Sequence, residues 1–387
     1  MEQERIYMDN SATTQTDPLV VEAMLPYFTE RYAVASSQFS HTPGIQAREA
    51  LDKAREVITR KLAGEPDSVI FTSGGTESNN LALKGTAWAK KPDKNHMIVS
   101  KIVHNSVLHS AQWLEKQGVQ VTYLDVDEAG FVDPDALKKA ITDQTFLVSV
   151  QHANHEVGTI QPVQEIAQTC SDQGVLFHLD ASRSFTMLDL DLTKIPVNLV
   201  SLSSHLIHGP KGIGALYVRP ETRIQKWQHG GYHEFDKRSG TENVAGAVGF
   251  GKAVELADSK HTDTIRGLQK RLMDGLTKEI EGTRINGPAD LTLRHPGNVN
   301  VSFNLIEGES VVLHLDMKGI SVITGSACFS RSLEPSYVMM AMGFTHERAH
   351  GSIRFTLSRF NQSHEIERVI ESCKEVVENL RQISPLK

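Results

Sequence analysis

Hydrophobic and polar positions follow an alternating pattern through the first two thirds of the chain. Short runs rich in apolar and β-branched residues are separated by stretches in which apolar residues recur at helical spacing. The runs read SVIFTS (68–73), HMIVS (96–100), VQVTYLDV (119–126), TFLVSVQHA (145–153), GVLFHLDAS (174–182) and LVSLSS (199–204). Such alternation is typical of βαβ units around a buried parallel sheet. It predicts an α/β fold with a mostly parallel central sheet and right-handed crossovers.

After about residue 260 the pattern changes. A long helical stretch, TIRGLQKRLMDGLTKEIEG, comes before shorter β-rich runs, and the chain ends in a charged amphipathic helix. The runs are NVNVSFN (298–304), ISVITGSA (320–327) and SIRFTLSRF (352–360). This order predicts a smaller α+β domain. We place the large domain at residues 13–260 and the small domain at residues 1–12 and 261–387.

Composition narrows the class of protein. The 387 residues include 47 acidic and 40 basic side chains, and the net charge is −7. This balance argues against nucleic acid or an anionic membrane surface as the main partner. No apolar run approaches the roughly 18 residues of a membrane span, and the N-terminus lacks the apolar core of a signal peptide. Three cysteines do not make a disulfide framework, so we predict a cytoplasmic protein.

A glycine-rich turn after the first β-run is a candidate phosphate cradle. The segment FTSGGTESNN places Gly75 and Thr76 where a strand gives way to a helix. Glycines let backbone N–H groups approach an anion, and a helix N-terminus adds partial positive charge. The alternative is an ordinary capped helix, with Thr76 or Ser78 as the cap.

Polar residues also follow two later β-runs. Asp180 ends the run in HLDAS, while Ser203 and His205 follow the run in SLSSH. Ligands of parallel α/β sheets gather at the carboxyl ends of the strands. A carboxylate there can hold a protonated pyridine nitrogen. The alternatives are a helix cap for Asp180 and a structural role for His205.

Two residues of the second part carry candidate chemistry. Cys328 lies among Gly, Ser and Arg in GSACFSRS, where Arg331 or a helix N-terminus could lower the pKa of its thiol. It is thus a candidate nucleophile or metal ligand, the alternative being a buried small hydrophobic residue. Arg354 in SIRF could bind a substrate carboxylate through two hydrogen bonds, although an isolated arginine is more often solvated or ion-paired.

Taken together, these motifs resemble the cysteine desulfurases, which are pyridoxal-phosphate (PLP) enzymes of the class V aminotransferase group. The resemblance runs from end to end of the chain. Its motifs are YMDNSATT, TSGGTESNN, HNSVL, HANHEVGTIQP, HLDAS, GPKGIGALYVR, RSGTENV, GSACFS, LEPSYV and SIRFTLSRF.

The resemblance implies a homodimer that removes sulfur from L-cysteine as a cysteine persulfide and leaves alanine. The sulfur then feeds iron–sulfur scaffold proteins. It also implies roles for individual residues. The PLP phosphate would be bound by Gly75, Thr76, Ser203 and His205, with Thr241 reaching the phosphate of the other subunit. The PLP ring would contact His104 and Asp180, the substrate would contact Asn154 and Arg354, and Cys328 would take the sulfur.

The sequence departs from the family at this same pocket. Leu206 stands where the family has the lysine that bonds covalently to PLP and shuttles a proton. Lys211 does not replace it on motif grounds, because the family has both lysines. His155 stands in place of an asparagine, and Arg183 in place of a glutamine, that reach the phenolic oxygen of PLP.

These departures lead to a first hypothesis, in which the desulfurase activity of the protein is lost or much reduced. PLP would then be non-covalent or absent. Cys328 would serve as a sulfur carrier or as a ligand of a [2Fe-2S] cluster shared with a scaffold protein, with free sulfide as the source. In the second reading the protein is an active PLP enzyme whose base is His104, His155 or His205.

Two further readings depart from sulfur chemistry. The H-x-x-H spacing of His152 and His155, with His178, His205 and His208 elsewhere, is compatible with a metal site. The family already has histidines at His152, His178 and His205 without a metal. The other reading is a purely structural binding module, in which Cys328 has no role.

Overall fold

The computed structural model describes residues 5–325 and 335–384. Its strands are β1 (Ile6–Tyr7), β2 (Val69–Thr72), β3 (His96–Ser100), β4 (Gln120–Leu124), β5 (Thr145–Gln151), β6 (Leu176–Asp180), β7 (Leu199–Ser203), β8 (Gly214–Val218), β9 (Thr283–Ile285), β10 (Asn298–Phe303), β11 (Ile320–Ser321) and β12 (Ser352–Thr356).

Helices connect and cover these strands. They are α1 (Pro18–Met24), α2 (Pro26–Thr29), α3 (Thr42–Lys61), α4 (Gly75–Lys90), α5 (Asn105–Lys116), α6 (Pro134–Ala140), α7 (Val163–Asp172), α8 (Val244–Glu255), α9 (Ser259–Glu279), α10 (Gly308–Met317), α11 (Tyr337–Ala341), α12 (His346–His350) and α13 (Ser363–Ile383). None of the helices in the two described ranges has the length and apolar character needed to cross a bilayer.

The central sheet has the order β2-β8-β7-β6-β5-β3-β4 within the described residues. The strands from β7 to β4 run parallel, and β8 is antiparallel to both of its neighbours. The predicted α/β class with a mostly parallel sheet is therefore confirmed. Because parallel strands end at the same edge, the last residues of β6 and β7, Asp180 and Ser203, meet there.

Each face of this sheet is buried under helices. Successive side chains of a strand point to opposite faces, so Val69 and Phe71 enter one apolar cluster while Ile70 enters another. The first cluster includes residues of α3, α7 and α8, and the second includes residues of α4 and α5. Burial on both faces explains why the strands read as continuous apolar runs.

The second part of the chain has its own sheet and core. Strands β12, β10 and β9 form an antiparallel sheet, and its apolar face packs with α9, α10 and α13. The N-terminal strand β1 pairs in parallel with β11, and Ile6 is buried in the same core. The division of the chain into domains near residue 260 stays a prediction.

Candidate functional site

A polar pocket lies at the carboxyl edge of the central sheet. Its walls come from the ends of β5, β6 and β7, the start of α4, the start of α5 and the turn before β8. The predicted residues that line it are Gly75, Thr76, His104, Asp180, Arg183, Ser203 and His205. The fold therefore brings together most of the cofactor-binding residues expected from the sequence.

The start of α4 provides the predicted phosphate cradle. Gly75 opens this 16-residue helix, and a Cβ atom at Gly75 would lie only 2.7 Å from Oγ of Ser182. The hydroxyls of Ser182 and Ser203 are buried, line the pocket and have no hydrogen-bond partner among residues 5–325 and 335–384. Buried hydroxyls without partners are costly, so this end of the pocket is built to receive an acceptor such as a phosphate oxygen.

Two hydrogen bonds hold the Asp180 carboxylate in the pocket. One carboxylate oxygen accepts from the backbone N–H of Ser182 at 3.0 Å. The other accepts from the Asn79 amide, also at 3.0 Å. Asp180 is 3% exposed, and its oxygens retain room for a further donor. This arrangement suits a cationic N–H such as that of a protonated pyridine.

His104 presents an N–H group to the pocket. It caps α5, and its Nδ1 accepts from the backbone N–H of Ser106 at 3.2 Å. Burial, with the charge of Arg183 as a lesser cause, lowers the pKa of His104 to about 4. The ring is therefore neutral near pH 7, and because Nδ1 is an acceptor the proton lies on Nε2.

His205 is the other histidine in the lining of the pocket. Its Nδ1 lies 3.2 Å from Oγ1 of Thr13. Burial, followed by the charges of Arg183 and Lys211, lowers the pKa of His205 to about 4. Neither ring nitrogen of His205 is committed to a backbone N–H in the described part of the chain, so this ring can accept a proton.

His155 lies behind His104 and outside the lining of the pocket. Its ring contacts that of His104 edge-on, with centroids 5.2 Å apart, and its Nδ1 lies 3.1 Å from the Gln151 side chain. Burial holds the pKa of His155 well below its usual value. The neighbouring Glu156 is also buried, which raises its pKa to about 7. The predicted cofactor contact of His155 stays a prediction, and the contact that the structure shows for its ring on this side is with His104.

The two residues predicted to bind substrate are engaged elsewhere in the structure. Arg354 pairs with Asp9 at 3.1 Å and donates to the His155 carbonyl at 2.9 Å. The Asn154 amide donates to the Ile102 carbonyl, and its oxygen accepts from two backbone N–H groups of its own turn. Both ends of the Asn154 side chain thus form hydrogen bonds within the protein, and the substrate contacts of Asn154 and Arg354 stay predictions.

Leu206 separates the polar pocket from a second cavity. It lines both, and the second cavity is bordered by apolar residues that include Met187, Ile265 and Leu357. Arg183 also reaches both cavities, and its guanidinium donates to Ser11. A leucine is accommodated at position 206 because one side of its environment is apolar, but it has no amine to bond to a cofactor.

The predicted sulfur acceptor, Cys328, lies outside the described residues. The other two cysteines are buried in helices α7 and α13, and burial raises the pKa of the Cys170 thiol to about 12 and also raises that of Cys373. Neither is suited to act as a nucleophile. Thr241 is exposed and does not line the pocket of its own chain, so its contact with a second subunit stays a prediction.

The histidines do not assemble into a metal centre. No group of three or more His, Cys, Asp and Glu side chains within residues 5–325 and 335–384 is arranged to hold a metal. His152 instead lies 2.9 Å from Oγ of Ser184, and His178 lies between Ser149 and Ser201. These hydroxyl partners account for the buried histidines as structural residues.

Sequence reasoning missed several residues of the pocket. Asn79 and Ser182 orient Asp180, and Lys211 lines the pocket beside Leu206. Ser182 could have been found from its position two residues after Asp180, where a backbone N–H commonly bonds to an aspartate. Asn79 offers no such signal, because it reaches Asp180 from a different element.

Comparison with known proteins shows which family the chain belongs to. The family model described as aminotransferase class V matches residues 6–369. A protein named cysteine desulfurase IscS from Clostridium botulinum is 46% identical over 385 residues, covering 99% of this chain and 96% of that protein. A protein of the same name from Methanosarcina thermophila is 47% identical, covering 100% of this chain and 95% of that protein.

Solved structures show the same similarity in the backbone. One described as a NifS-like protein has a TM-score of 0.91 and 35% identity, covering 97% of this chain and all of that one. Another, described as SspA in complex with cysteine, has a TM-score of 0.83 and 32% identity, covering 92% of this chain and all of that one. The similarity thus extends over nearly the whole chain, in sequence and in backbone.

Proposed function

Because the chain belongs to the class V aminotransferase family and, within it, to the cysteine desulfurases, we propose that it acts on L-cysteine with PLP held non-covalently. The products are alanine and a protein persulfide. One observation carries this proposal: the pocket contains polar groups suited to a phosphate and a carboxylate suited to a pyridine nitrogen, although residue 206 has no amine. The presence of both sets of polar groups favours an active enzyme over an inert homologue.

The pocket residues fit two groups of PLP. The start of α4, with Thr76 and the free hydroxyls of Ser182 and Ser203, suits the phosphate. Asp180 suits the protonated pyridine nitrogen. When bound, PLP supplies an electron sink for bond changes at the substrate α-carbon. Leu206 does not fit a covalent link, so retention of the cofactor depends on these polar contacts.

Because Leu206 has no group that can transfer a proton, other residues of the pocket must do so. His104 holds a proton on Nε2 and acts as a hydrogen-bond donor toward bound substrate or cofactor. His205 is neutral near pH 7 and can accept a proton, so we assign it the role of base. A histidine with a pKa near 4 is a weak base, and the expected rate is accordingly low.

The proposed sulfur acceptor is Cys328, since the thiols of Cys170 and Cys373 are buried. A persulfide formed there would be passed to an iron–sulfur scaffold protein. We also propose a homodimer, in which Thr241 of each subunit completes the phosphate site of the other. These two partners rest on the family resemblance.

Replacing Leu206 with lysine tests this proposal. Leu206→Lys supplies the missing amine, and a positioned acid–base group contributes about 10²-fold to 10⁴-fold in rate. We therefore expect alanine formation from L-cysteine to rise by about 10²-fold or more over a low wild-type rate. Alanine and sulfide are assayed with added PLP, and the visible absorbance reports the bound cofactor.

Two further variants complete this experiment. Leu206→Met introduces an unbranched apolar side chain without an amine and should leave the wild-type rate unchanged within a few-fold. His205→Gln should abolish the low activity of the wild-type chain. A wild-type chain that binds PLP but forms no alanine, even at high enzyme concentration, contradicts the proposed activity.

The second candidate function is that of a sulfur carrier with lost or much reduced desulfurase activity, and Leu206 is the observation that favours it. Here Cys328 would take the outer sulfur of a small-molecule persulfide, which leaves as a thiol, or would ligate a [2Fe-2S] cluster held jointly with a scaffold, with free sulfide entering that cluster directly as bridging sulfur. The two functions separate cleanly. A carrier requires Cys328 but not PLP for cluster assembly on a scaffold, whereas the proposed enzyme requires both.

A further inference from the structure

The turn before β8 places a lysine beside the start of α4. Gly212 in this turn has a φ of +80°, a left-handed conformation that favours glycine. Gly214, the first residue of β8, packs so closely on Gly74 that a Cβ atom there would lie 2.6 Å from the Gly74 carbonyl carbon. These two glycines fix the turn, and with it Lys211, next to the phosphate cradle.

Lys211 lines the pocket, and its ammonium group forms no ion pair with the described residues. Its side chain is exposed and lines the pocket together with Leu206, Ser203 and His205. No hydrogen bond or ion pair is formed by its ammonium within the part of the chain that the structure describes. By contrast, Arg238, the cation that contacts the first turn of α4, pairs with Glu77 at 2.9 Å. The charge of Lys211 is felt inside the pocket, since it contributes to the lowered pKa of His205.

We propose that Lys211 binds the phosphate group of a pyridoxal-type cofactor and thereby helps to retain, by an ionic contact, a cofactor for which Leu206 provides no covalent anchor. This inference rests on the proposed function for the identity of the cofactor. The surrounding groups point to the same ligand. The two buried serine hydroxyls have no other partner, and the N-terminus of α4 adds its partial positive charge.

A cofactor that forms no covalent bond to the protein is retained by its other contacts. Without a covalent bond, dissociation is opposed only by the polar contacts of the pocket. A phosphate carries most of the charge of PLP, and charge-assisted hydrogen bonds are about twice as strong as neutral ones. A lysine that lines the pocket beside Ser203 and makes no ion pair in the described part of the chain is therefore expected to contribute to cofactor affinity.

The test compares three probes on four proteins. The probes are PLP, pyridoxal, which lacks the phosphate, and inorganic phosphate, each titrated by calorimetry. The proteins are the wild-type chain, Lys211→Met, Lys211→Arg and the control Lys139→Met, which removes an exposed lysine from α6. We expect Lys211→Met to weaken binding of PLP and of phosphate by about tenfold or more, since a lost hydrogen bond to a charged group has this size.

The controls separate a phosphate contact from a general effect. Binding of pyridoxal should be unchanged in Lys211→Met, Lys211→Arg should retain most of the affinity, and Lys139→Met should match the wild type. Equal affinities of wild type and Lys211→Met for PLP would overturn the inference and leave the proposed function intact. A phosphate affinity that depends on Lys211 in a chain that binds no PLP would support the contact and overturn the proposed function.

A chemical trap distinguishes an ionic from a covalent role for Lys211. After incubation with PLP, the protein is treated with borohydride, digested and mapped by mass spectrometry. We expect no pyridoxyl group on Lys211 in the wild-type chain and a pyridoxyl group on residue 206 in Leu206→Lys. A pyridoxyl group fixed on Lys211 would overturn the ionic role.

Discussion

At the scale of single residues, the phosphate end of the pocket depends on the absence of one carbon atom. Gly75 starts α4, and any Cβ atom there would lie 2.7 Å from Oγ of Ser182 and 3.4 Å from Cβ of Ser203. The same two serines provide the hydroxyls that await an acceptor. Position 75 is therefore constrained by these two serines of the pocket wall rather than by helix formation, in which alanine is favoured over glycine.

Gly75→Ala should separate these two effects. The added methyl group displaces the Ser182 hydroxyl, so we expect PLP affinity to fall by about tenfold or more. Stability should not fall in parallel, because alanine favours helix formation. The matched control is Gly267→Ala in α9, where a Cβ atom would meet nothing within 4 Å. Titration with PLP and urea unfolding measure both; equal PLP affinity in Gly75→Ala and wild type would refute the steric argument.

The part of the candidate site that lies at the ends of strands could be predicted from the sequence. Asp180 and Ser203 follow apolar runs, and the topology rule for parallel sheets brings them to one edge. Asn79 was missed because it reaches the site from α4, a contact that depends on tertiary packing, whereas Lys211 was considered only as a covalent anchor. His155 was placed in the pocket by its motif, yet the ring of His104 lies in front of it.

At the scale of elements, a strained turn is held by a buried ion pair. Glu234, Phe235 and Asp236 have φ values of 46°, 56° and 58°, which cost non-glycine residues about 1–3 kcal/mol each. Glu234 accepts two hydrogen bonds from Arg55 of α3, at 2.8 and 3.0 Å, and one from the backbone of Phe71 in β2. The pair thus joins the turn, a helix and the sheet.

Removing one partner should be costly because the other charge stays buried. Arg55 is 2% exposed, and we expect Arg55→Met to lower the free energy of unfolding by about 3–5 kcal/mol. Arg60, on the same helix, forms an exposed pair with Glu56, so Arg60→Met should cost only about 0–1 kcal/mol. Urea unfolding at pH 7 compares the two variants. Similar losses in both would contradict the assigned importance of the buried pair.

The elements themselves were largely predictable. The six apolar runs of the large domain each contain a strand of the central sheet, because burial on both faces leaves a continuous apolar signature. The run ISVITGSA was less informative, since the strand there covers only Ile320–Ser321. The strained turn at 234–236 has no sequence signature, because its conformation is imposed by Arg55 and not by glycine or proline.

At the scale of the whole molecule, buried histidines dominate the response to acid. Six histidines have a pKa lowered to about 4, and burial is the largest cause for each of them. They are His104, His152, His178, His205, His208 and His295. An unfolded chain binds protons at these rings near pH 6.5, whereas the folded chain does not. Stability is therefore complete above pH 6.5 and is lost as the pH falls toward 4.

We expect the free energy of unfolding to fall steeply between pH 6.5 and 4, and the chain to unfold within that window. Each histidine contributes about 1.4 kcal/mol per unit of pKa difference, and several together exceed a typical stability of about 5–15 kcal/mol. Urea unfolding at a series of pH values measures the slope. His152→Gln should reduce it, and the exposed His261→Gln should not; a slope unchanged in His152→Gln would contradict the assignment.

The hydrocarbon side chain at position 206 has a consequence for how this protein is regulated. A covalently attached cofactor stays in place whatever its free concentration. A cofactor held by polar contacts exchanges with solution, so its occupancy follows the free concentration relative to the dissociation constant. Under the proposed function, sulfur release by this protein rises and falls with the supply of vitamin B6, and Leu206 makes the enzyme a sensor of that supply.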